Sequence, residues 1–338
     1  MTKDILGVEI STRKIKLVQV SQGKPVRYSE KEVPDGCVRD GLIVTWDAIE
    51  EVLRDAVKEG HFSTRKTAVV IPDTACYVRR LVMPVMTESQ LLVNIPYEFR
   101  DVIQDDKENY RFDYSMIGMK YAAEGDETPK EMEMLGAAIK NTIMDHYTAL
   151  FARAGLKLVK ATPRIIALQQ LIRAISKDNL SHDIAILDLG FHETKVDIFH
   201  NGNYEATRSI DQGMESVAKA VAEKLNCDDH IAIQYLSSNH GNVLDSQECK
   251  DVYARIAVEI MRAVNYYTYE NPDNNLEKLY YNGFGSWIQP FIQEIANSVS
   301  LTLIPLSSFD EEEQKALLNG ATAFGVCLDQ GGQDEHRR

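Results

Sequence analysis

Residues 7–24 read GVEISTRKIKLVQVSQGK, and residues 186–203 read ILDLGFHETKVDIFHNGN. Laid over each other without a gap, both give an apolar strand ending in a carboxylate, then a small residue, a polar turn, an alternating strand and a second turn. Glu9 falls on Asp188, Ser11 on Gly190, Lys16 on Lys195 and Gly23 on Gly202. Any two β-hairpins share part of this pattern. The gapless coincidence of acid, small residue, lysine and turn glycine is what tips the reading to a true repeat, and hence to a chain built in two related halves.

Between and after the hairpins, strands alternate with helices. The pattern predicts helices over Thr45–Glu59, with Thr45 as its cap, and over Asp211–Leu225, Ser246–Tyr269 and Glu311–Leu328. In the third of these, Val252, Ile256, Ile260 and Val264 make one apolar stripe. Short strands are expected at Lys66–Pro72 and Leu279–Asn282. Residues 77–159 follow a different rhythm of strand, helix, strand, polar loop, strand and helix, which reads as a self-contained α+β insert. The expected class is α/β, with sheets covered by helices. Residues 1–76 and 160–180 would form a first lobe, 77–159 the insert, 181–328 a second lobe and 329–338 a disordered tail.

With 37 basic against 51 acidic residues, the formal charge is -14, which would repel a phosphate backbone and argues against nucleic acid as a partner. The start MTKDILGVEI lacks a secretory pattern, and no apolar run approaches the ~20 residues that span a bilayer, so direct membrane insertion is not expected. Five scattered cysteines without metal spacing fit a reducing cytoplasm better than a disulfide framework or a zinc site. His61, His146, His182, His192, His200, His230 and His240 are likewise scattered, and no catalytic grouping is legible.

Three elements could meet a ligand. Backbone N–H groups of a tight turn can cradle phosphate, and a strand-end carboxylate can hold hydrated Mg²⁺. Glu9, Ser11, Thr12 and Lys16 belong to one such turn, and Asp188, Gly190 and Thr194 to the other, with Asp188 the stronger candidate for Mg²⁺. The third is YYNGFGSW at 280–287, where Gly283 and Gly285 allow close backbone approach or only serve a tight turn.

The order hairpin, insert, hairpin, GxG resembles the actin, sugar kinase and Hsp70 superfamily. The insert's MPVMTESQL and YEFRDVI, followed by FARAGLKLVKATPRIIALQQLIRAI and RSIDQGMESVAKAVAEKL, are similar to the PilM family. This resemblance implies an actin-like (RNase H-like) bilobal fold with ATP and Mg²⁺ as candidate ligands. It also implies a cytoplasmic scaffold of type IV pilus assembly at the inner face of the membrane. Such a scaffold binds the cytoplasmic tail of a PilN-like inner-membrane protein in a groove between the first lobe and the insert, with homo-oligomers allowed. Tyr77, Arg79 and Leu81 are the expected partner contacts, on one face of the insert's first strand. The departures bear on function: Glu9 replaces the usual Asp and Ser11 the usual Gly, while Gln234 and Ser237 stand where Glu and Lys frame adenine. Nucleotide binding is therefore expected to be weak or lost, with at most a weak ATPase. The alternatives are an FtsA-like division protein and an active ATPase or kinase of the same superfamily. An FtsA-like protein would carry an amphipathic C-terminal helix, which DQGGQDEHRR does not supply.

Overall fold

The computed structural model describes residues 4–121, 128–176, 182–309 and 314–328. The chain runs β1 (Ile5–Ile10), β2 (Lys14–Ser21), β3 (Lys24–Glu32), the short pair β4 (Val38–Arg39) and β5 (Leu42–Ile43), α1 (Trp46–Glu59) and β6 (Lys66–Ile71). Next come β7 (Cys76–Pro84), α2 (Glu88–Asn94), β8 (Tyr110–Lys120), β9 (Glu131–Lys140) and α3 (Asn141–Arg153). β10 (Lys157–Pro163) and α4 (Arg164–Ile175) lead to β11 (Ile184–Leu189), β12 (Thr194–His200), β13 (Asn203–Ile210), α5 (Met214–Leu225), α6 (Asp229–Ser238) and α7 (Gln247–Glu270). The chain closes with β14 (Lys278–Asn282), α8 (Gln289–Ser298), β15 (Thr302–Pro305), α9 (Gln314–Asn319) and α10 (Ala321–Gly325).

The repeat is structural. One five-stranded sheet has the order β10-β6-β1-β2-β3 and the other β13-β12-β11-β14-β15. In both, the hairpin strands pair antiparallel and the later strands join parallel. Glu9 lies opposite Lys16 and Asp188 opposite Lys195. Even the irregularities coincide, with register shifts at Gln19/Val20 and Ile198/Phe199. The second turns match as well, because Gln22-Gly23 and Asn201-Gly202 all have positive φ. Two left-handed central residues are the turn whose twist suits a two-residue hairpin loop.

The described residues divide into two compact units, one comprising residues up to Leu171 and from Thr322 onward, the other Ile172–Ala321. In the first, α1 and α3 cover the sheet, and Leu6, Val8, Leu17, Leu53, Leu150 and Phe151 share one core. In the second, α5 and α7 do the same, and the four-residue stripe of α7 is buried as its spacing requires. The insert is a separate three-stranded sheet, β7-β9-β8, with its own core around Leu81, Phe99 and Met134. Its first helix stops at Asn94 and gives way to a tighter turn over Ile95–Phe99, because Pro96 cannot continue the backbone ladder.

Several expectations are corrected. Thr45 occupies the cap position of α1 without a side-chain cap bond; its own N–H is held by the Cys37 carbonyl at 3.2 Å. The helix expected over Asp211–Leu225 begins only at Met214. The closing helix is two short ones, α9 and α10, with Gly320 between them; residues 311–313 lie outside the described residues. The second lobe, read as 181–328, loses Thr322–Leu328 to the first unit and gains 172–176. The reason is backbone packing: a Cβ on Gly7 of β1 would stand 1.7 Å from the Ala323 carbonyl oxygen, and one on Gly325 would stand 2.1 Å from that of Ala167. Two missing side chains thus let α10 lie directly against β1 and α4. The tail 329–338 and most of the polar loop of the insert lie outside the described residues.

Candidate functional site

In the first unit, Glu9 ends β1 with both carboxylate oxygens engaged. Lys16 Nζ lies 2.9 Å from one, and the Thr322 hydroxyl donates to the other. Ser11 closes its own turn: its N–H and hydroxyl both donate to the Lys14 carbonyl at 2.9 Å, and its oxygen accepts from the Lys14 N–H at 3.2 Å. Thr12 sits at the bend between them. The amides at both ends of this turn are therefore spent within it. A turn that is to cradle phosphate must present outward-pointing N–H groups, and the two end amides of this one do not supply them.

The second unit brings Asp188, Gly190, Thr194, Gly283 and Gly285 together. Asp188 is paired across the sheet with both Lys195 and Asn282. Gly283 has φ +96 and ψ -175, a conformation essentially confined to glycine. A Cβ there would stand 2.6 Å from Asp188 Oδ1 and 2.8 Å from the Leu189 carbonyl oxygen. Gly283 N–H donates to the Leu318 carbonyl at 2.9 Å. Gly285 packs against Leu189 and Met214, and Phe284 meets Phe191 edge to face at 5.5 Å. Thr194 turns its hydroxyl to the Gln212 carbonyl at 2.9 Å, and Lys195 Nζ lies 3.0 Å from Glu193 Oε1. The first N–H groups of α5 are also used, donating from Met214 and Glu215 to the carbonyls of Gly190 and Phe191.

Two features of this second cluster suit a ligand better than the first turn does. Asn282 is buried, and its side-chain oxygen has no hydrogen-bond partner. Buried polar atoms left in that state ask for a water, ion or ligand. Asp188 is half-buried beside it, so the pair would hold a hydrated cation or a hydroxyl group of a ligand. Among the described residues there is no group of three or more His, Cys, Asp or Glu side chains placed to hold a metal ion. Gln234 and Ser237 are exposed on α6, and Ser237 turns its hydroxyl back to the Ile233 carbonyl. Nothing in the sequence pattern singled out Asn282; its position beside Asp188 follows from strand pairing.

The partner strand is placed differently from expectation. Leu81 is 3% exposed and belongs to the insert's core, so it cannot meet a partner. Arg79 donates to the Glu98 carbonyl at 2.7 Å and pairs with Asp101. The turn over Ile95–Phe99 has come down on this face of β7. Tyr77, 41% exposed with its ring 6.4 Å from Tyr110, is the one of the three that is exposed and not held by an ion pair. The opposite face carries Val82, 45% exposed, and Arg80, which pairs with Glu133. Among the described residues β7 is hydrogen-bonded to β9 alone, so its outer edge is open. The period-two alternation was legible; which face the helix would cover was not.

A family model described as type IV pilus assembly protein PilM matches residues 7–319. Among solved structures, the fold is similar to that of the PilM-PilN type IV pilus biogenesis complex, with a TM-score of 0.79 and 17% identity over 97% of this chain and 98% of that one. It is also similar to the ethanolamine utilization protein EutJ from Carboxydothermus hydrogenoformans, with a TM-score of 0.60 and 16% identity over 96% and 89% of the two chains. The cell division protein FtsA of Bacillus subtilis (strain 168) is 30% identical over 141 residues, a stretch that spans 39% of this chain and only 27% of that protein's length. The fold is the actin-like one, with the same five-stranded sheet order repeated in each unit. Because the family match takes in both hairpins, the insert and the Gly283 turn together, the chain belongs to the type IV pilus assembly protein PilM family.

Proposed function

We propose that this chain is a cytoplasmic scaffold of type IV pilus assembly, recruited to the inner face of the membrane by binding the tail of a PilN-like inner-membrane protein. The observation that carries this is the family match over residues 7–319, supported by the likeness to a PilM solved in complex with PilN. The open edge of β7 suits such a tail. An extended peptide can add to a sheet edge, with main-chain bonds supplying affinity and alternate side chains supplying specificity. Tyr77 and Val82 flank that edge on opposite faces and are the contacts this structure leaves accessible.

The test is a calorimetric titration of the full chain with the N-terminal cytoplasmic peptide of a PilN-like protein from the same organism. Binding is expected, with a loss of about tenfold or more in a Tyr77→Glu/Val82→Glu variant, the scale of a burial-dependent anchor. An intact protein that ignores the peptide would sink the proposal. Undiminished binding by the variant would move the contact to the adjoining groove.

Nucleotide binding is the second part of the reading, and it is weak or lost for a reason seated in the first turn. Glu9 is committed to Lys16 and Thr322, and Ser11 closes the turn on itself. Titration with Mg-ATP is expected to give weak binding or none. A Glu9→Asp/Ser11→Gly variant should gain about tenfold or more, since glycine reopens the backbone to phosphate and the shorter acid withdraws from Thr322. Sub-micromolar affinity in the unaltered chain would overturn this part and leave the PilN reading standing.

A further inference from the structure

A cavity of about 540 Å³ opens in the first unit beside the end of α1, the loop into β6 and the turn after α3. Arg54, Lys58, His61 and Arg65 stand around it, Val57 and Phe62 form an apolar floor, and no carboxylate lines it. This occurs in a chain with 14 more acidic than basic groups, so a wall of cations is not the background composition of its surface.

Arg54 pairs with Glu50 on the preceding turn of α1, a carboxylate that also pairs with Arg153. Among the described residues no ion pair engages Lys58, His61 or Arg65. One ordinary use for such cations is to offset helix C-termini, each equivalent to about half a negative charge. That demand is largely met without His61 and Arg65. Arg27 donates to the Gly60 carbonyl at 3.1 Å beyond the end of α1, and Lys58 already lies in the last turn. At the end of α3, the carbonyls of Leu150, Phe151 and Ala152 accept from the N–H groups of Ala154, Leu156 and Gly155. Arg65 and His61 are left over. His61 moreover holds φ at +49, where a residue other than glycine loses about 1 kcal/mol or more.

We propose that this cavity is a binding site for a phosphate group, either a free phosphomonoester or the headgroup of an anionic phospholipid. The guanidinium of Arg65 offers the planar fork that meets two phosphate oxygens, Lys58 adds a point charge, and the apolar floor takes the organic part of the molecule. The volume lies in the ordinary range of small-ligand pockets, roughly 300–1,000 Å³. The site does not depend on the PilN reading; β7 and its edge play no part in it.

The experiment uses the full chain at matched ionic strength with two probes: inorganic phosphate followed by calorimetry, and sedimentation with phosphatidylglycerol or phosphatidylcholine vesicles. The unaltered protein is expected to bind phosphate, and a Lys58→Ala/Arg65→Ala variant to bind at least tenfold more weakly. A Lys219→Ala/Arg262→Ala control in the other unit should behave as the unaltered chain. If phosphatidylglycerol vesicles are also captured and that capture is lost in the same variant, the source is a lipid headgroup. Phosphate binding without vesicle capture assigns a free phosphomonoester. Should the double variant fail to fold, Arg65→Gln alone carries the same comparison. Failure of the unaltered chain to bind either probe, or an equal loss in the control, overturns the proposal.

Discussion

Replacing Gly7 by alanine is expected to lower the stability of the first unit by about 3 kcal/mol or more, the upper end of what overpacking a close contact produces. The new methyl group would stand 1.7 Å from the Ala323 carbonyl oxygen and 2.7 Å from Cys327 Sγ. β1 cannot yield, being hydrogen-bonded between β2 and β6 at the middle of its sheet. α10 must therefore retreat, and with it go the Thr322 bond to Glu9 and the 2.7 Å bond from Lys160 Nζ to the Leu328 carbonyl. Phe324 and Val326, both fully or nearly fully buried, would lose part of their cover. Thermal unfolding should show a fall of about 6–12 °C for the transition of a unit of this size. Gly118→Ala is the control, because a Cβ there meets nothing within 4 Å. A Gly7 variant that melts with the control would show that α10 does not pack on β1 as described.

The second large effect is expected at Gly283. Alanine there loses on two counts: its φ of +96 with ψ near 180° costs a side chain about 1–3 kcal/mol. In addition, its Cβ would press on Asp188 Oδ1 at 2.6 Å and on Leu189 N and O at 2.9 and 2.8 Å. A total loss of about 3 kcal/mol in the second unit follows, with faster hydrogen exchange in β11 and β14 as the local signature. Gly285→Ala makes the discriminating comparison. Its nearest contact is the flexible sulfur end of Met214 at 3.1 Å, and its φ is ordinary, so about 1 kcal/mol is expected. If the two variants lose the same stability, Gly283 is not conformationally required, and its place beside Asp188 would have to be explained by a ligand alone.

The same two glycines mark where sequence reading stops. GFG at 283–285 was legible as a turn after a strand, and the structure gives its first glycine a use internal to the protein: clearing the Asp188 carboxylate. Gly7 carried no signal at all, because in the sequence it is one small residue within an apolar strand. Its role exists only once Ala323, remote in the chain, is brought against it.

By itself the sequence determined what depends on near neighbours. Period-two alternation set the hairpin strands, and the left-handed Gln22-Gly23 and Asn201-Gly202 turns, each fitted by a glycine that needs no Cβ clearance, set their register. That is why Glu9 could be laid on Asp188, and Lys16 on Lys195, before any fold was known. The 3.6-residue stripe of α7 likewise announced its buried face. The tertiary structure alone decided what depends on partners distant in the chain. Glu9 became an anchored strut because Thr322 arrives beside it, and Leu81 turned inward because the segment around Phe99 covers one of two equally apolar faces of β7. Local spacing supplies a side chain's direction relative to its neighbours. Whether that direction leads to core, solvent or ligand is set by which distant backbone comes to rest against it.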